Sequence, residues 1–388
     1  MPGLENVKRR DPPHPAGEAE LPVIEALRGL AALLVLISHY VVFVRDGAGP
    51  WGVAAVGVDL FFVLSGFVFA RALAQGGIAW GPHLLRRFFR LYPLYIVALL
   101  LYALLQPAEG RWSGWWAHVF MLHTSTDMAL ASRYNVAFWS LPPEVEFYLI
   151  LPVLAAVMAA TGRLRGAVWG LLCLALALKL GLVALATPGE APDSVRSVLT
   201  VHLPGLLVEF LLGSAAAVAT GHVRAPHLGS AWSSRTRLVG AALGLLLAIT
   251  LLIVYSHQLA TPAAAAQANI WFSGNFGLMA ALAFALLLLG LHPSPRADAS
   301  SSLAPYGVWW HGAASWAGRL SYGLYLFHNA APHLARRFWP GLEGWALPMA
   351  SLLLTLLLAT VLHLAVEAPC RRFGRALAFG WQQGLRSR

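Results

Sequence analysis

Stretches of about twenty apolar residues recur from one end of this 388-residue chain to the other, and no feature constrains its fold more. Twenty helical residues, at about 1.5 Å each, cross the hydrocarbon core of a bilayer. In that core every backbone N–H and C=O must be satisfied within the protein, which leaves helices or a closed barrel. The runs here are continuous rather than alternating, so the expected fold is all-α: a polytopic transmembrane helical bundle. Ten spans are predicted, at about 23–44, 53–73, 91–107, 141–161, 166–186, 201–221, 238–257, 271–291, 319–335 and 346–366. Only 11% of residues are charged, against about 25% in soluble domains.

The basic residues set an orientation. With the predicted spans, 20 of the 27 lysines and arginines fall on the side of the N-terminus, 6 fall on the other, and Lys179 lies within a span. By the positive-inside rule both termini are expected in the cytoplasm. The net charge of +10 is therefore read as topology; the expected partner is the lipid bilayer, and no nucleic acid. Residues 1–22, with "KRRDPPHPAGEAE", are expected to be a disordered cytoplasmic tail, and 371–388 a basic cytoplasmic tail. "ATPAAAAQA" and "PSPRADASSS" read as loops. The outer loop 108–140, with "RWSGWWAHVFMLHTS", is expected to hold an interfacial helix and an aromatic belt. Cys173 and Cys370 form no framework, so no disulfide is expected, and no metal-ligand spacing occurs.

Ionisable residues inside apolar runs are costly, so each marks a candidate site. "IEALRGLAALLVLISHY" carries Arg28 and His39, 11 positions apart. At about 100° per residue they share one helix face, separated by about 16 Å along the axis. Glu25 stands three residues before Arg28, where it can pair with it. His39 suits a general base at neutral pH, or simply a hydrogen-bonded helix contact. Asp59, in "GVDLFFVLSGF", could orient a histidine or satisfy the free amides of a helix start, while Ser65 and Gly66 suit close helix packing. In "HLLRRFFRLYP", Arg86, Arg87 and Arg90 form either a phosphate-binding cluster or a positive-inside anchor. "FWSLPPEVEFYLILP" places Glu144 and Glu146 at the start of a span. Glu209 is expected to pair with an arginine, His328 lies deep in "GRLSYGLYLFHNAAP", and His202, His257 and His363 read as packing residues.

These segments, in this order and together with "EFLLG" and the terminal "VEAPCRR", resemble the acyltransferase 3 family of integral-membrane O-acyltransferases. The resemblance covers nearly the whole chain, about 23–370. It implies about ten spans in a bacterial cytoplasmic (inner) membrane. It also implies transfer of an acyl group, acetyl foremost, from cytoplasmic acyl-coenzyme A to a hydroxyl of a carbohydrate or glycolipid acceptor. No permanently bound cofactor is implied, acyl-CoA being the donor substrate. His39 matches the family's essential histidine, Arg28 its partner arginine, Arg87 and Arg90 the R-x-x-R pair, and Glu144 the acid after W-S-L. On this reading Arg86, Arg87 and Arg90 hold coenzyme A, and Asp59 or Glu144 fixes the tautomer of His39. "PP" at 142–143 departs from the family's usual pair. The alternative is a transporter or flippase that moves an acyl group or glycolipid without forming a bond; the lack of an internal inverted repeat weighs against it.

Overall fold

Leucine- and alanine-rich runs fold as helices wherever they are described, as their propensity and the bilayer's demand for internal hydrogen bonds require. The computed structural model describes residues 22–44, 49–75, 77–125, 128–161, 164–187, 190–191, 193–223, 232–258, 270–291 and 304–386. The expected N-terminal tail, up to residue 21, and the loops "ATPAAAAQA" and "PSPRADASSS" lie outside them. The helices are α1 (Pro22–Tyr40), α2 (Gly57–Ala74), α3 (Trp80–Leu105), α4 (Trp115–Val119), α5 (Met128–Ala131), α6 (Leu141–Ala160), α7 (Leu164–Ala184) and α8 (Val195–Val201). They continue with α9 (Leu203–Ala219), α10 (Ser234–Gln258), α11 (Ile270–Leu291), α12 (Ala304–Phe327), α13 (Ala330–Phe338), α14 (Ala346–Leu362) and α15 (Ala368–Arg386). Among the described residues there is no strand, and nine helical stretches are long and apolar enough to cross a membrane. The chain is a multi-pass helical membrane protein.

Three expected boundaries move. α3 begins at Trp80 rather than near 91, so the arginines of "HLLRRFFRLYP" lie inside a helix that carries Pro93 in its interior. The span expected at 319–335 is divided: α12 ends at Phe327, and α13 starts after the turn at His328–Asn329. The expected basic tail is largely helical, because α14 runs through one π-helical turn, His363–Glu367, directly into α15. Pro142 and Pro143 lie in the first turn of α6, where the missing N–H groups have no partner to lose.

Small residues fix which helices meet. A Cβ on Gly66 of α2 would overlap the carbonyl of Phe210 on α9, and one on Gly213 would overlap that of Val63. The Ser214 hydroxyl adds a 2.9 Å bond to the Gly66 carbonyl. α1 meets α12 in the same way, Gly29 against Ala317 and the Glu25 side chain across Gly318. Such close approach is what holds helices together where lipid supplies no hydrophobic drive. Since Glu25 lies by Gly318 and His39 by His328, α1 and α12 run parallel.

Candidate active site

His39 sits on the last turn of α1, and its ring meets the edge of His328 with centroids 4.8 Å apart. His39 Nδ1 donates to the Val35 carbonyl at 2.9 Å, and Ser38 Oγ lies 3.1 Å from the same nitrogen. His328 Nδ1 donates to the Tyr325 carbonyl at 2.7 Å. A carbonyl only accepts, so in the neutral form both rings carry hydrogen on Nδ1 and a lone pair on Nε2. His328 is fully buried and its Nε2 has no hydrogen-bond partner among the described residues. His39 faces a cavity of about 170 Å³ bounded by Val35, Val58, Val136, Trp139 and Tyr325.

The end of α12 is built to place this pair. Its last carbonyls have no helical partners, and side chains from elsewhere take them up. Tyr102 donates to the Leu326 carbonyl at 3.0 Å, with Asn135 beside it at 3.3 Å, and Tyr40 donates to the His328 carbonyl at 2.8 Å. Asn329 in turn donates to Asn135 Oδ1 at 2.7 Å. The Tyr325 hydroxyl bonds the Ala137 carbonyl and Ser140 Oγ, each at 2.6 Å, which joins α12 to the start of α6.

Arg28 lies toward the other end of the unbroken α1. It donates to Glu25 at 2.9 Å and lies within electrostatic range of Arg90, Tyr148 and Glu144. Glu144 accepts from the Tyr148 hydroxyl and, at 3.5 Å, from Ser65. The Arg87 guanidinium lies 4.7 Å from the centroid of the Phe69 ring and 5.7 Å from that of Tyr148. Arg28, Arg87, Arg90 and Glu144 are therefore brought together, while Arg86 contributes to the charge around His83 on the same helix.

Neither expected acid orients His39. The Val35 carbonyl does that, because it lies one turn back on α1 and reaches Nδ1 directly. Asp59 points instead toward Glu209, the two carboxyls meeting where a Cβ on Gly277 would touch both. Glu209, only 1% exposed, has Asp59 and Lys179 for neighbours rather than the expected arginine. Two histidines read as packing residues are hydrogen-bonded to carboxyl groups: His202 Nδ1 to Glu146, and His363 Nδ1 to Glu367 at 2.8 Å. In the loop 108–140, Trp116 on the short helix α4 and Trp112 just before it are both exposed. The loop also stacks His118 on His123 at 4.3 Å; burial, then the neighbouring ring, pushes His123 down to about 4. His328 was visible in the sequence as a deep histidine, but nothing there paired it with His39.

A helical membrane bundle with an imidazole pair at one end of a helix and an arginine cluster at the other defines a multi-pass membrane protein with polar groups gathered at both ends of one helix. The chain belongs to the acyltransferase 3 family, whose acyltransferase domain matches residues 21–365. It is 24% identical to acyltransferase MdmB of Streptomyces mycarofaciens, over 92% of this chain and 93% of that protein. It is 45% identical to protein 2 in the picA locus of Rhizobium radiobacter, over 21% of this chain and 43% of the relative. A protein of Komagataeibacter xylinus, provisionally named membrane-bound transacylase BcsY, is 32% identical over 37% of this chain and 39% of its own. The chain thus spans less than half of the Rhizobium and Komagataeibacter proteins and nearly all of MdmB. No solved structure is significantly similar.

Proposed function

We propose that the protein transfers a short acyl group, acetyl foremost, from acyl-coenzyme A to a hydroxyl of a carbohydrate or glycolipid, in a bacterial cytoplasmic membrane with the start of α1 facing the cytoplasm. The observation that carries this reading is the fixed tautomer of His39, whose Nε2 lone pair belongs to a ring lining the 170 Å³ cavity. That volume is close to the roughly 150 Å³ engineered cavity that takes benzene, and it favours a small acyl group over a long chain. Arg28, Arg87 and Arg90 suit the donor's phosphates, for which guanidinium groups are the preferred partners. The pantetheine arm then covers the rise of about 16 Å between Arg28 and His39 on one helix.

In the reaction, His39 Nε2 takes the proton of the acceptor hydroxyl as its oxygen bonds the thioester carbon. The carbon–sulfur bond breaks, and the imidazolium returns that proton to sulfur, giving an ester and free coenzyme A. His328 is the neighbour that holds the His39 ring in the attacking orientation. The test is thiol release from acetyl-coenzyme A by purified protein with a glycan acceptor. His39→Ala should lower the rate by about 10²–10⁴, the usual contribution of a general base, and leave the protein folded. Wild-type rates in that variant, or acceptor uptake into vesicles without thiol release, would overturn the proposal.

A further inference from the structure

The arginine cluster does not end with the helices that the family match covers. α15 begins three residues beyond residue 365, and Arg371 on its first turn carries the cluster further. α15 lies along α3: the Phe373 ring meets Phe89 at 5.3 Å, Gly374 has no room for a Cβ against Phe89, and Gly81 backs onto Trp381. Arg371 is one turn before Gly374 on the same face, and Arg90 follows Phe89 on α3, so the packing brings the two arginines to one place. Their charges act on each other and on Arg28. The π-helical turn supplies the support. Glu367 is 3% exposed, accepts from His363 at 2.8 Å, and takes a single 3.4 Å contact from Arg371 Nη1. One contact of that kind uses one of a guanidinium's five N–H donors.

Three guanidiniums from helices far apart in the chain, Arg28, Arg90 and Arg371, are thus held within electrostatic range of one another, together with Glu25, Glu144 and Glu367, and guanidiniums gathered in this way are the usual partners of phosphate groups. π-helical turns are rare and often mark functional positions. Arg372, the next residue, is exposed and bonds only back to the Ala368 carbonyl at 3.4 Å.

We infer that α15 is part of the donor site, with Arg371, set by Glu367 and the π-helical turn, binding a phosphate of the donor beside Arg28 and Arg90. This rests on the coenzyme A reading above. Coenzyme A binding to the full-length protein in lipid nanodiscs, measured by calorimetry, tests it. Arg371→Gln should weaken binding about tenfold, the loss of one charge-assisted hydrogen bond. Arg371→Lys should weaken it less, and Glu367→Gln should weaken it severalfold without touching an arginine. Arg372→Gln should bind like the wild type. If the wild-type protein takes up no coenzyme A, the donor reading itself fails. If it binds but Arg371→Gln is unchanged, or Arg372→Gln is weakened equally, α15 is not part of the site. Should Arg371→Gln fail to fold, unchanged binding by both Arg371→Lys and Glu367→Gln would overturn the inference, and weakening by Glu367→Gln would sustain it.

Discussion

His39 is held by a carbonyl four residues earlier on its own helix, a local contact that any α-helix offers at that spacing. Its neighbour is not local. His328 reaches it only because Tyr102, Asn135 and Tyr40 satisfy the carbonyls where α12 stops. Arg28 and His39 were legible in the sequence, because a charged or polar group in an apolar run must be either paired or used. Asp59 drew the same attention for the same reason, yet its partner is Glu209. A role for His328 as the support of His39 predicts a specific kinetic signature. His328→Gln should lower kcat by roughly tenfold, less than the 10²–10⁴ lost with the base itself, with KM for the donor little changed. A lower folded yield with kcat per folded molecule unchanged would assign His328 a packing role.

Helix pairing is decided at positions where a side chain would be in the way. α2 and α9 touch through Gly66 and Gly213 at backbone distance, and Ser214 bonds across the seam. Gly66→Val should therefore destabilise the protein by about 1–3 kcal/mol or more, the cost of overpacking a tight contact. A lower thermal midpoint in detergent reads this out. Gly170 on α7 has open space where a Cβ would go, so Gly170→Ala should be neutral or stabilising by up to about 1 kcal/mol through helix propensity. Equal midpoints for the two variants would refute the pairing account. The small residues of "LSGF" announced a close contact in the sequence, but not its partner, which lies on α9, with six helices between. The start of α3 differs because Arg86, Arg87 and Arg90 lower local hydropathy without breaking the helix, leucine and arginine both being good helix formers.

At the scale of the whole molecule, two interior places among the described residues gather charge. One is the arginine cluster that Arg28, Arg90 and Glu144 share with Glu367 on the last helical run. The other is the carboxyl pair Asp59–Glu209 with Lys179, where α2, α7 and α9 meet. Removing the cation from a buried group of this kind costs about 3–5 kcal/mol, because an uncompensated charge is left behind. Lys179→Met should accordingly lower the thermal midpoint, and adding Asp59→Asn should restore much of it; no recovery in the double variant would show that Asp59 and Lys179 do not interact. The sequence alone determined that the chain is a helical membrane protein, since the bilayer admits few ways to satisfy a backbone and the apolar runs are long enough to read directly. It also determined that Arg28 and His39 share a stripe, since helical periodicity acts over a few turns. Only the tertiary structure decided that His328 joins His39, that Asp59 joins Glu209, and that Arg371 joins the arginines of α1 and α3. Those pairings depend on which helices touch, and that follows from shape matching between distant segments, which no local pattern encodes.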